Sequence, residues 1–371
     1  GDGAAAALDG VELRASGTAQ RTRQGLGVFA ARKLKAGEAA VRIAAPLWRP
    51  LSADAAWAHL NEAHGPLCED LLEFARASPE LVGAGSQART MLVGSVSFLL
   101  FLLEEMAKNE ASDAWYHIDM IPTSLQVPLF WDNDRIAELQ ASPLVVKITR
   151  QRQLISSVYS EVVSPHLGDH VSGSNFAWAW SLVLSRAIAN VHHNLPFCIP
   201  PLIDMFNHRF PENAGSTTIA TGPPRGFCDH WYDQESATFI VSPQNDVDEG
   251  EELFISYGPL PNAALLRKYG FCVGDNPHES VRIPLGPVTS LRCKLNGQLE
   301  AVGERAALPP RGELLPLLEQ ALERYATSAE EDEVALAEAD DASDEDLQNA
   351  IHVRLGEKRA LRACIAELGS K

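Results

Sequence analysis

The stretch "DVDEGEELFISYG", residues 246–258, combines a tight turn, a short strand and a tyrosine at the end of that strand. Asp248 to Glu251 contain a glycine among acidic residues and predict the turn, while Leu253 to Ile255 favour a strand. Gly258 has no Cβ and lets the chain bend sharply after Tyr257. The pattern predicts that the Tyr257 ring stands at a strand end and faces a cavity.

A second stretch, "IPPLIDMFNHR" at residues 199–209, carries polar groups into an apolar setting. Asp204, Asn207 and His208 follow a run of isoleucine, proline and leucine, and methionine and phenylalanine lie between them. Such polar groups are seldom buried without hydrogen-bonding partners. The stretch therefore predicts a polar site within an apolar part of the protein.

The composition is that of a folded globular protein, with 46% hydrophobic and 22% charged residues among 371. A net charge of −18 without any long basic stretch disfavours a nucleic-acid partner. Six cysteines without a C-x-x-C pair predict neither a zinc framework nor a secreted disulfide scaffold, and they fit a reducing, intracellular compartment. The most apolar run, Met91 to Leu103, is short and predicts a buried helix, so no membrane partner is expected.

Strand-like segments bracket a helical region. The pattern of strand, turn and strand at residues 25–43 returns at residues 237–258, and residues 52 to about 180 are rich in Ala, Leu and Glu. The predicted helices are 66–76, 91–109, 133–141, 150–167, 313–326 and 346–368. Between the last two lies "EEDEVALAEADDASDED" (330–346), with ten acidic residues and no basic ones. We expect a solvated or mobile loop there, with a docking surface for a basic partner as the alternative.

Several familiar motifs are missing, and the polar clusters also have structural interpretations. There is no P-loop, no G-x-S-x-G and no H-E-x-x-H. "GLG" at 25–27 is either a tight turn or a close approach of backbone to a ligand. Arg186 and Asp204 would also make a buried ion pair, and "RKYGF" would also end a helix with a glycine cap.

The order of four segments resembles the SET-domain protein methyltransferases. These segments are "GLGVFAARKLKAGE" (25–38), "LSRAI" (184–188), "IDMFNH" (203–208) and "DVDEGEELFISYG…NAALLRKYGF" (246–271). The signature of that family is "NH" followed by "GEEL-x-I-x-Y". Residues 114–142 and 322–368 are similar to the helical insertion and the C-terminal domain of its Rubisco large-subunit lysine methyltransferase-like group.

The resemblance implies an α+β fold with two domains. The first is a SET-domain β-fold with a pseudoknot over residues 8–286, interrupted by a helical insertion at about 52–180. The second is a small, all-helical substrate-binding domain over residues 287–371. In the pseudoknot the later chain threads through a loop that contains Asn207 and His208.

The resemblance also implies S-adenosyl-L-methionine (AdoMet) as the cofactor. Asn207 and His208 would hydrogen-bond its adenine and amino-acid ends, Arg186 would pair with its carboxylate, and Phe271 would pack beside the adenine. Gln24 stands where the family often has glutamate, and so lacks a charge facing the cofactor's ammonium group. The implied cofactor-binding set is Gln24, Gly25, Leu26, Arg186, Asn207, His208, Tyr257 and Phe271, and no metal is expected.

A second set of residues is implied for the target lysine. This set is Ser185, Arg186, Ile188, Asp204 and Tyr269. Asp204 would frame the lysine channel with Arg186, and Tyr269 would narrow it. In relatives that methylate histidine an asparagine lies two positions after the motif's arginine, and Ile188 at that position favours lysine. The C-terminal domain is shorter than usual for the group, which leaves the protein substrate open.

Methyl transfer is an in-line displacement, so the enzyme must mainly align its substrates. Lysine reacts as a neutral amine, and its pKa of about 10.4 in water falls in a narrow apolar channel beside a positive sulfonium. Tyr257 is the expected catalytic residue, because its hydroxyl would orient the amine's lone pair. The predicted function is therefore that of a protein-lysine N-methyltransferase.

The expected partner is a protein substrate, with the Rubisco large subunit, fructose-bisphosphate aldolase or another non-histone protein as candidates. The resemblance implies the chloroplast stroma, with the cytoplasm as the alternative. The chain begins at Gly1 without a methionine, so we expect that a targeting segment was removed. Two other functions remain open: a catalytically silent SET scaffold, and a metal site built from Asp204, His208 and His192-His193.

Overall fold

The computed structural model describes residues 6–7, 10–16, 25–78, 85–190, 195–211, 224–286, 289–303, 306–339 and 344–370. Gln24, which belongs to the predicted cofactor-binding set, and His192-His193, which belong to the alternative metal site, lie outside the described residues. The described part of the chain mixes helices and sheets, so the predicted α+β class is confirmed.

In the described part of the chain, the strands form four small sheets. They are β1 (Ala6–Ala7), β2 (Val11–Ala15), β3 (Leu26–Ala30), β4 (Val41–Ala44), β5 (Ile188–Asn190), β6 (Leu195–Cys198), β7 (Asn207–His208), β8 (Cys228–Asp233), β9 (Thr238–Pro243), β10 (Glu252–Ile255), β11 (Ser280–Pro284), β12 (Ser290–Lys294) and β13 (Leu299–Val302). The sheet orders are β1-β4-β9-β8, β2-β3-β10-β7, β5-β6 and β11-β12-β13.

Strand β10 joins the segments that carry the sequence motifs. On one side it pairs antiparallel with β3, with Leu253 opposite Val28. On the other side it pairs parallel with β7, with Phe254 opposite Asn207 and Ile255 opposite His208. This parallel pairing brings distant parts of the chain side by side, as the predicted pseudoknot requires.

Most helices lie between the two halves of the strand region or at the C-terminal end. They are α1 (Ala45–Trp48), α2 (Ala53–Ala63), α3 (Gly65–Ala77), α4 (Gly85–Lys108), α5 (Trp115–Ile118), α6 (Asn133–Ala137), α7 (Pro143–Val158), α8 (Ser164–Leu167), α9 (Gly173–Arg186), α10 (Asn262–Tyr269), α11 (Arg311–Glu323), α12 (Ala329–Glu338) and α13 (Glu345–Gly369). Helices α2 to α8 lie within the segment predicted as the insertion, about 52–180, and α9 runs past its end to Arg186. A π turn at Tyr159–Val163 joins α7 to α8.

Helix α4 is the centre of the insertion core. By length and composition the span Gln87–Ala111 is sufficient to cross a membrane. In the fold, however, Val96 and Phe98 are fully buried against residues of α2 and α9 such as Leu60 and Leu182. The buried helix predicted at this position is therefore present, and it is longer than the apolar run suggested.

The C-terminal region corrects one part of the predicted fold. Residues 287–371 were expected to be all-helical, but β12 and β13 lie within them. Leu291 and Cys293 of β12 are fully buried and alternate with the partly exposed Arg292 and Lys294. Burial that alternates from residue to residue is typical of a strand with one face packed against a core. Here that core includes residues of α11 and α13. Strand β12 pairs with β11, so this sheet crosses the predicted domain boundary at 286–287. The boundary itself stays a prediction.

The acidic run also differs from expectation, since residues 329–338 form helix α12 rather than a loop. Ser328 and Glu331 make a capping box at its start, which satisfies free backbone N–H groups. Asp332 is fully buried and accepts hydrogen bonds from Arg354 Nε at 2.9 Å and Lys358 Nζ at 2.5 Å. The carboxylates at this end of the run therefore bind the basic face of α13 and are not free to dock a basic partner.

Candidate active site

Tyr257 lies just beyond the end of β10, as its position in the sequence predicts. Its hydroxyl donates a hydrogen bond to the Phe206 carbonyl oxygen at 2.7 Å. Its backbone N–H donates to His208 Nδ1 at 3.1 Å. The side chain and the backbone of Tyr257 are thus both hydrogen-bonded to the segment that contains Asn207 and His208.

The direction of the first hydrogen bond decides what the hydroxyl can do. Its single proton points to the Phe206 carbonyl, so the lone pairs of the oxygen remain available to accept a hydrogen bond. Burial raises the pKa of Tyr257 well above its ordinary value, and the neighbouring Tyr269 raises it further. The group is therefore a neutral hydroxyl that accepts, and not a phenolate base.

Three aromatic rings lie around the ring that carries this hydroxyl. The Tyr257 ring centroid is 4.5 Å from that of Tyr269, 5.1 Å from the stacked His208 ring and 6.3 Å from Phe271. Burial raises the pKa of Tyr269 to about 12, so this ring also stays neutral. The faces of aromatic rings attract cations, and such a cluster suits an ammonium or sulfonium group.

Gly270 places two of these rings. It ends α10 in the left-handed conformation, with φ 82°, as the predicted glycine cap requires. A Cβ atom at this position would lie 2.2 Å from the Gln126 carbonyl oxygen, which no side chain tolerates. The tight turn directs Phe271 back towards Tyr269, with ring centroids 6.1 Å apart. Phe271 also borders a cavity of about 520 Å³ next to α12 and α13.

His208 carries an unused donor. Burial lowers its pKa to about 4, so the imidazole is neutral at physiological pH. Since Nδ1 accepts a hydrogen bond from Tyr257, the proton resides on Nε2. This Nε2 atom is buried and has no hydrogen-bond partner among the described residues. A buried donor without a partner is costly, so the atom marks a position where a ligand acceptor fits.

Arg186 and Asp204 form a buried ion pair, which the sequence allowed as an alternative to a role in ligand binding. Arg186 NH1 donates to Asp204 Oδ2 at 2.8 Å and to the Asp204 carbonyl oxygen at 3.2 Å. The Asp204 side chain is fully buried; the residue lies in a 3₁₀ turn, Ile203–Met205, that follows a strained Leu202 with φ 69°. The turn holds the carboxylate in a single orientation next to the site.

His117 is part of the same cluster and was not predicted from the sequence. It lies on the short helix α5 of the insertion, and its side chain is fully buried. Its Nε2 atom is 3.4 Å from Asp204 Oδ1, within ion-pair distance although neither atom has a well-formed hydrogen bond among the described residues. Burial alone would raise the pKa of Asp204, but His117 and Arg186 more than offset this and lower it.

Gly27 of β3 packs closely against side chains of β10 and β7. A Cβ atom on Gly27 would lie 2.4 Å from Glu252 Oε1, so a larger residue there would displace the Glu252 side chain. The Asn207 amide donates to the same oxygen at 2.7 Å and reaches the Leu26 carbonyl only at 3.4 Å. Ser16 Oγ also donates to Glu252, at 2.8 Å. Glu252, which was not predicted from the sequence, is therefore the charged group that accepts hydrogen bonds from both Asn207 and Ser16.

The remaining predicted residues lie near the site with structural contacts of their own. Ser185 Oγ donates to the Leu182 carbonyl within α9, at 3.1 Å. Ile188 packs against the apolar core that also contains Met205. Leu26, at the start of β3, is 38% exposed. No group of three or more metal-ligating side chains occurs in the part of the chain that the structure describes.

Known proteins resemble this chain in sequence. Residues 312–361 match the family model described as Rubisco LSMT substrate-binding. The chain is 26% identical over 235 residues to an actin-histidine N-methyltransferase of Danio rerio, covering 58% of this chain and 36% of that protein. It is 26% identical over 271 residues to the chloroplastic fructose-bisphosphate aldolase-lysine N-methyltransferase of Arabidopsis thaliana, covering 68% and 47%.

A ribosomal lysine N-methyltransferase of Schizosaccharomyces pombe is 25% identical over 195 residues, which is 51% of this chain and 33% of that protein. The chain thus spans about a third to a half of the length of these relatives.

Two solved structures have the same architecture. The SET domain of LSMT bound to lysine and AdoHcy superimposes with a TM-score of 0.67 at 18% identity, covering 98% of this chain and 88% of that one. Rubisco LSMT bound to AdoMet gives a TM-score of 0.66 at 17% identity, covering 97% and 87%. The chain therefore has a SET-domain fold. More narrowly, its architecture is that of Rubisco LSMT, and the predicted resemblance is confirmed at this level.

Proposed function

We propose that this protein transfers a methyl group from AdoMet to the side-chain amine of lysine in a protein substrate. The observation that carries the proposal is the Tyr257 hydroxyl, which donates to Phe206 and so offers only lone pairs to the aromatic cluster around it. A lysine amine entering this cluster would donate a hydrogen bond to that oxygen. Its own lone pair would then be held in a fixed direction.

The described residues fit AdoMet as the cofactor. His208 Nε2 is a buried donor that needs an acceptor, and the neighbouring aromatic faces suit a sulfonium cation. When bound, AdoMet supplies an electrophilic methyl group. This chain's residues would then hold the cofactor through His208 and the backbone of Gly25 and Leu26, with Phe271 beside its adenine. Solved structures of the same fold contain AdoMet, AdoHcy or sinefungin, which supports this choice.

The assignments of Arg186 and Asn207 change in this proposal. Both were expected to touch the cofactor directly. Because Arg186 binds Asp204 and the Asn207 amide binds Glu252, we propose that their side chains mainly position the loop. The guanidinium donors of Arg186 that do not bind Asp204 are left for the cofactor's carboxylate.

Lysine is the proposed target rather than histidine. Relatives of similar identity include both lysine- and histidine-directed enzymes, so identity alone does not distinguish them. The apolar Ile188, which packs towards the core beside Met205, supports lysine because it offers no hydrogen bond to an imidazole. Ser185, Arg186, Asp204 and Tyr269 would complete the channel wall.

We further propose that residues 8–286 carry the chemistry and residues 287–371 recognise the protein substrate. Supporting this division, residues 312–361 match a substrate-binding domain. The candidate substrates are the Rubisco large subunit, fructose-bisphosphate aldolase or another non-histone protein. A chloroplast location, with the cytoplasm as the alternative, rests on the chloroplastic relative of Arabidopsis.

The test is incubation of the purified protein and labelled AdoMet with a plastid extract, followed by mass spectrometry of the labelled peptides. We expect methyl groups on lysine side chains, and a chelator should leave the yield unchanged. Methylated histidine would contradict the choice of target. An absence of label with an enzyme that binds AdoMet would instead favour a silent scaffold.

A further inference from the structure

A cluster of positive charges lies beside the candidate site of this otherwise acidic protein. It comprises Lys147 of α7, Arg267 and Lys268 of α10, Arg282 of β11 and Arg292 of β12, which we call the cationic patch. The chain as a whole has a net charge of −18. Lys147 and Arg282 are exposed and the other three are half-buried, so the patch faces solvent.

The charges of the patch act on one another. The pKa of Lys147 is lowered by partial removal from water and by the charges of Arg282, Arg267 and Arg292. Desolvation and Arg267 likewise lower the pKa of Lys268. Arg282 and Arg292 are also directly opposite each other in the β11–β12 pair, and an anion between such like charges would relieve their repulsion.

Few carboxylates oppose the patch. Among the described residues, Glu300 is shared by Arg292 and Lys294, and the buried Glu357 faces Lys147. This is unlike the basic face of α13, where each cation has an acidic partner on α12 or nearby, as Arg362 has Glu330. The patch therefore has positive charge in excess, whereas the basic face of α13 is neutralised by carboxylates of the fold.

The position of the patch connects it to the site. Arg267 precedes Tyr269 by two residues on α10, and its NH1 donates to Gln151 of α7 at 3.1 Å. The Tyr269 ring in turn lies 4.5 Å from that of Tyr257. A protein segment that placed its lysine against Tyr257 would therefore run past α10 and its cations.

We propose that the cationic patch binds acidic side chains that flank the target lysine in the protein substrate. This inference rests on the proposed function and narrows its substrate class to lysines in acidic surroundings. An acidic polypeptide fits better than a nucleic acid, because a long phosphate backbone would also meet the negative charge that dominates the rest of the surface. Oppositely charged surfaces raise both the association rate and the discrimination between partners.

The test compares short peptides of equal length with one central lysine, flanked by Asp and Glu, by Ser and Gln, or by Arg. Binding is measured by fluorescence anisotropy at physiological salt with AdoHcy present, so no methyl transfer is needed. We expect the acidic peptide to bind about fivefold or more tightly than the neutral one, the scale of one or two exposed ion pairs. A single-stranded oligonucleotide serves as a second anionic probe.

Two variants give the decisive comparison. Lys147→Glu combined with Arg282→Glu should remove or invert the preference for the acidic peptide. Arg76→Glu, on an exposed position of α3, makes a charge change of the same sign outside the patch and should leave the preference intact. AdoMet affinity should be unchanged in all of them.

Equal binding of the acidic and neutral peptides by the wild type would overturn the proposal, and so would tighter binding of the oligonucleotide. If the acidic peptide binds more tightly but is never methylated, the proposed role of the cationic patch is supported and the proposed lysine methylation is contradicted. If neutral peptides are methylated as well as acidic ones, the activity stands and the patch assignment fails.

Discussion

The Tyr257 hydroxyl donates its proton to the Phe206 carbonyl oxygen at 2.7 Å. Phe206 lies between Asp204 and Asn207, so this single bond joins the end of β10 to the loop that shapes the site. The bond also fixes the role of the oxygen, because a hydroxyl that has donated its only proton can act towards a ligand only as an acceptor. A lysine amine as the ligand satisfies this requirement.

Removal of one partner from the Arg186–Asp204 pair should strongly destabilise the fold. Arg186→Ala leaves the fully buried Asp204 carboxylate without its closest cation, and we expect a loss of about 3–5 kcal/mol in the free energy of unfolding. Denaturant titration measures this. The double variant Arg186→Ala/Asp204→Asn should recover part of the loss, and an equal or larger loss in the double variant would contradict the pairing.

His117 should stabilise the fold through its contact with the Asp204 carboxylate. His117→Phe keeps an aromatic ring of similar size but removes the group that faces Asp204 Oδ1, and we expect it to cost roughly 1–3 kcal/mol of stability. In the background of Asp204→Asn the same change should cost clearly less, since the facing charge is gone. Additive effects in this double-mutant cycle would rule out a direct interaction.

Stability should fall as the pH rises towards 8. Burial raises the pKa of Glu279 to about 8 and that of Glu357 to about 7, so the folded protein keeps protons that the unfolded chain releases near pH 4.5. Their contribution to stability is therefore complete below pH 4.5 and is lost as the pH rises through 7 and 8. Denaturant titrations across this range measure the slope.

Glu279→Gln tests which group is responsible. The amide keeps an oxygen that can accept the Asn262 N–H, at 3.0 Å in the wild type, but it does not titrate. We expect the variant to lose less stability than the wild type between pH 5 and pH 8, by on the order of 3 kcal/mol. Parallel curves for variant and wild type would show that Glu279 is not buried as a neutral acid.

The sequence alone was sufficient for features that depend on short stretches of chain. The strand before Tyr257, the glycine cap at Gly270 and the insertion helices follow from local pattern, and the structure contains all of them. The site motifs could also be located, because Asn207, His208 and Tyr257 occur in a recognisable order.

Features that depend on distant contacts were not predictable. His117 lies in an unremarkable helical stretch, and only the fold brings it to Asp204, 87 positions later in the numbering. Helix α12 was mistaken for a loop because its carboxylates are balanced by Arg354 and Lys358, which are far along the chain. Glu252 lies inside a motif whose residues predict a strand, and nothing local indicates that its carboxylate binds Asn207.

The two tyrosines of the site should respond differently to loss of the hydroxyl. Tyr269→Phe keeps the ring next to Tyr257, so we expect only a small loss of rate and a change in the number of methyl groups added. Mass spectrometry of the products after complete reaction measures that number. A rate loss as large as that of Tyr257→Phe would contradict the separate roles proposed for the two rings.

The most direct measurement is the rate of lysine methylation by Tyr257→Phe alongside its affinity for AdoMet. The substitution removes one oxygen and little volume, so the cofactor should bind with nearly unchanged affinity in calorimetry. Turnover should fall roughly 10²-fold or more, the scale of a misaligned reacting group, with kcat falling more than KM rises. A variant that binds AdoMet and methylates lysine as fast as the wild type would contradict the proposed catalytic role of the Tyr257 hydroxyl.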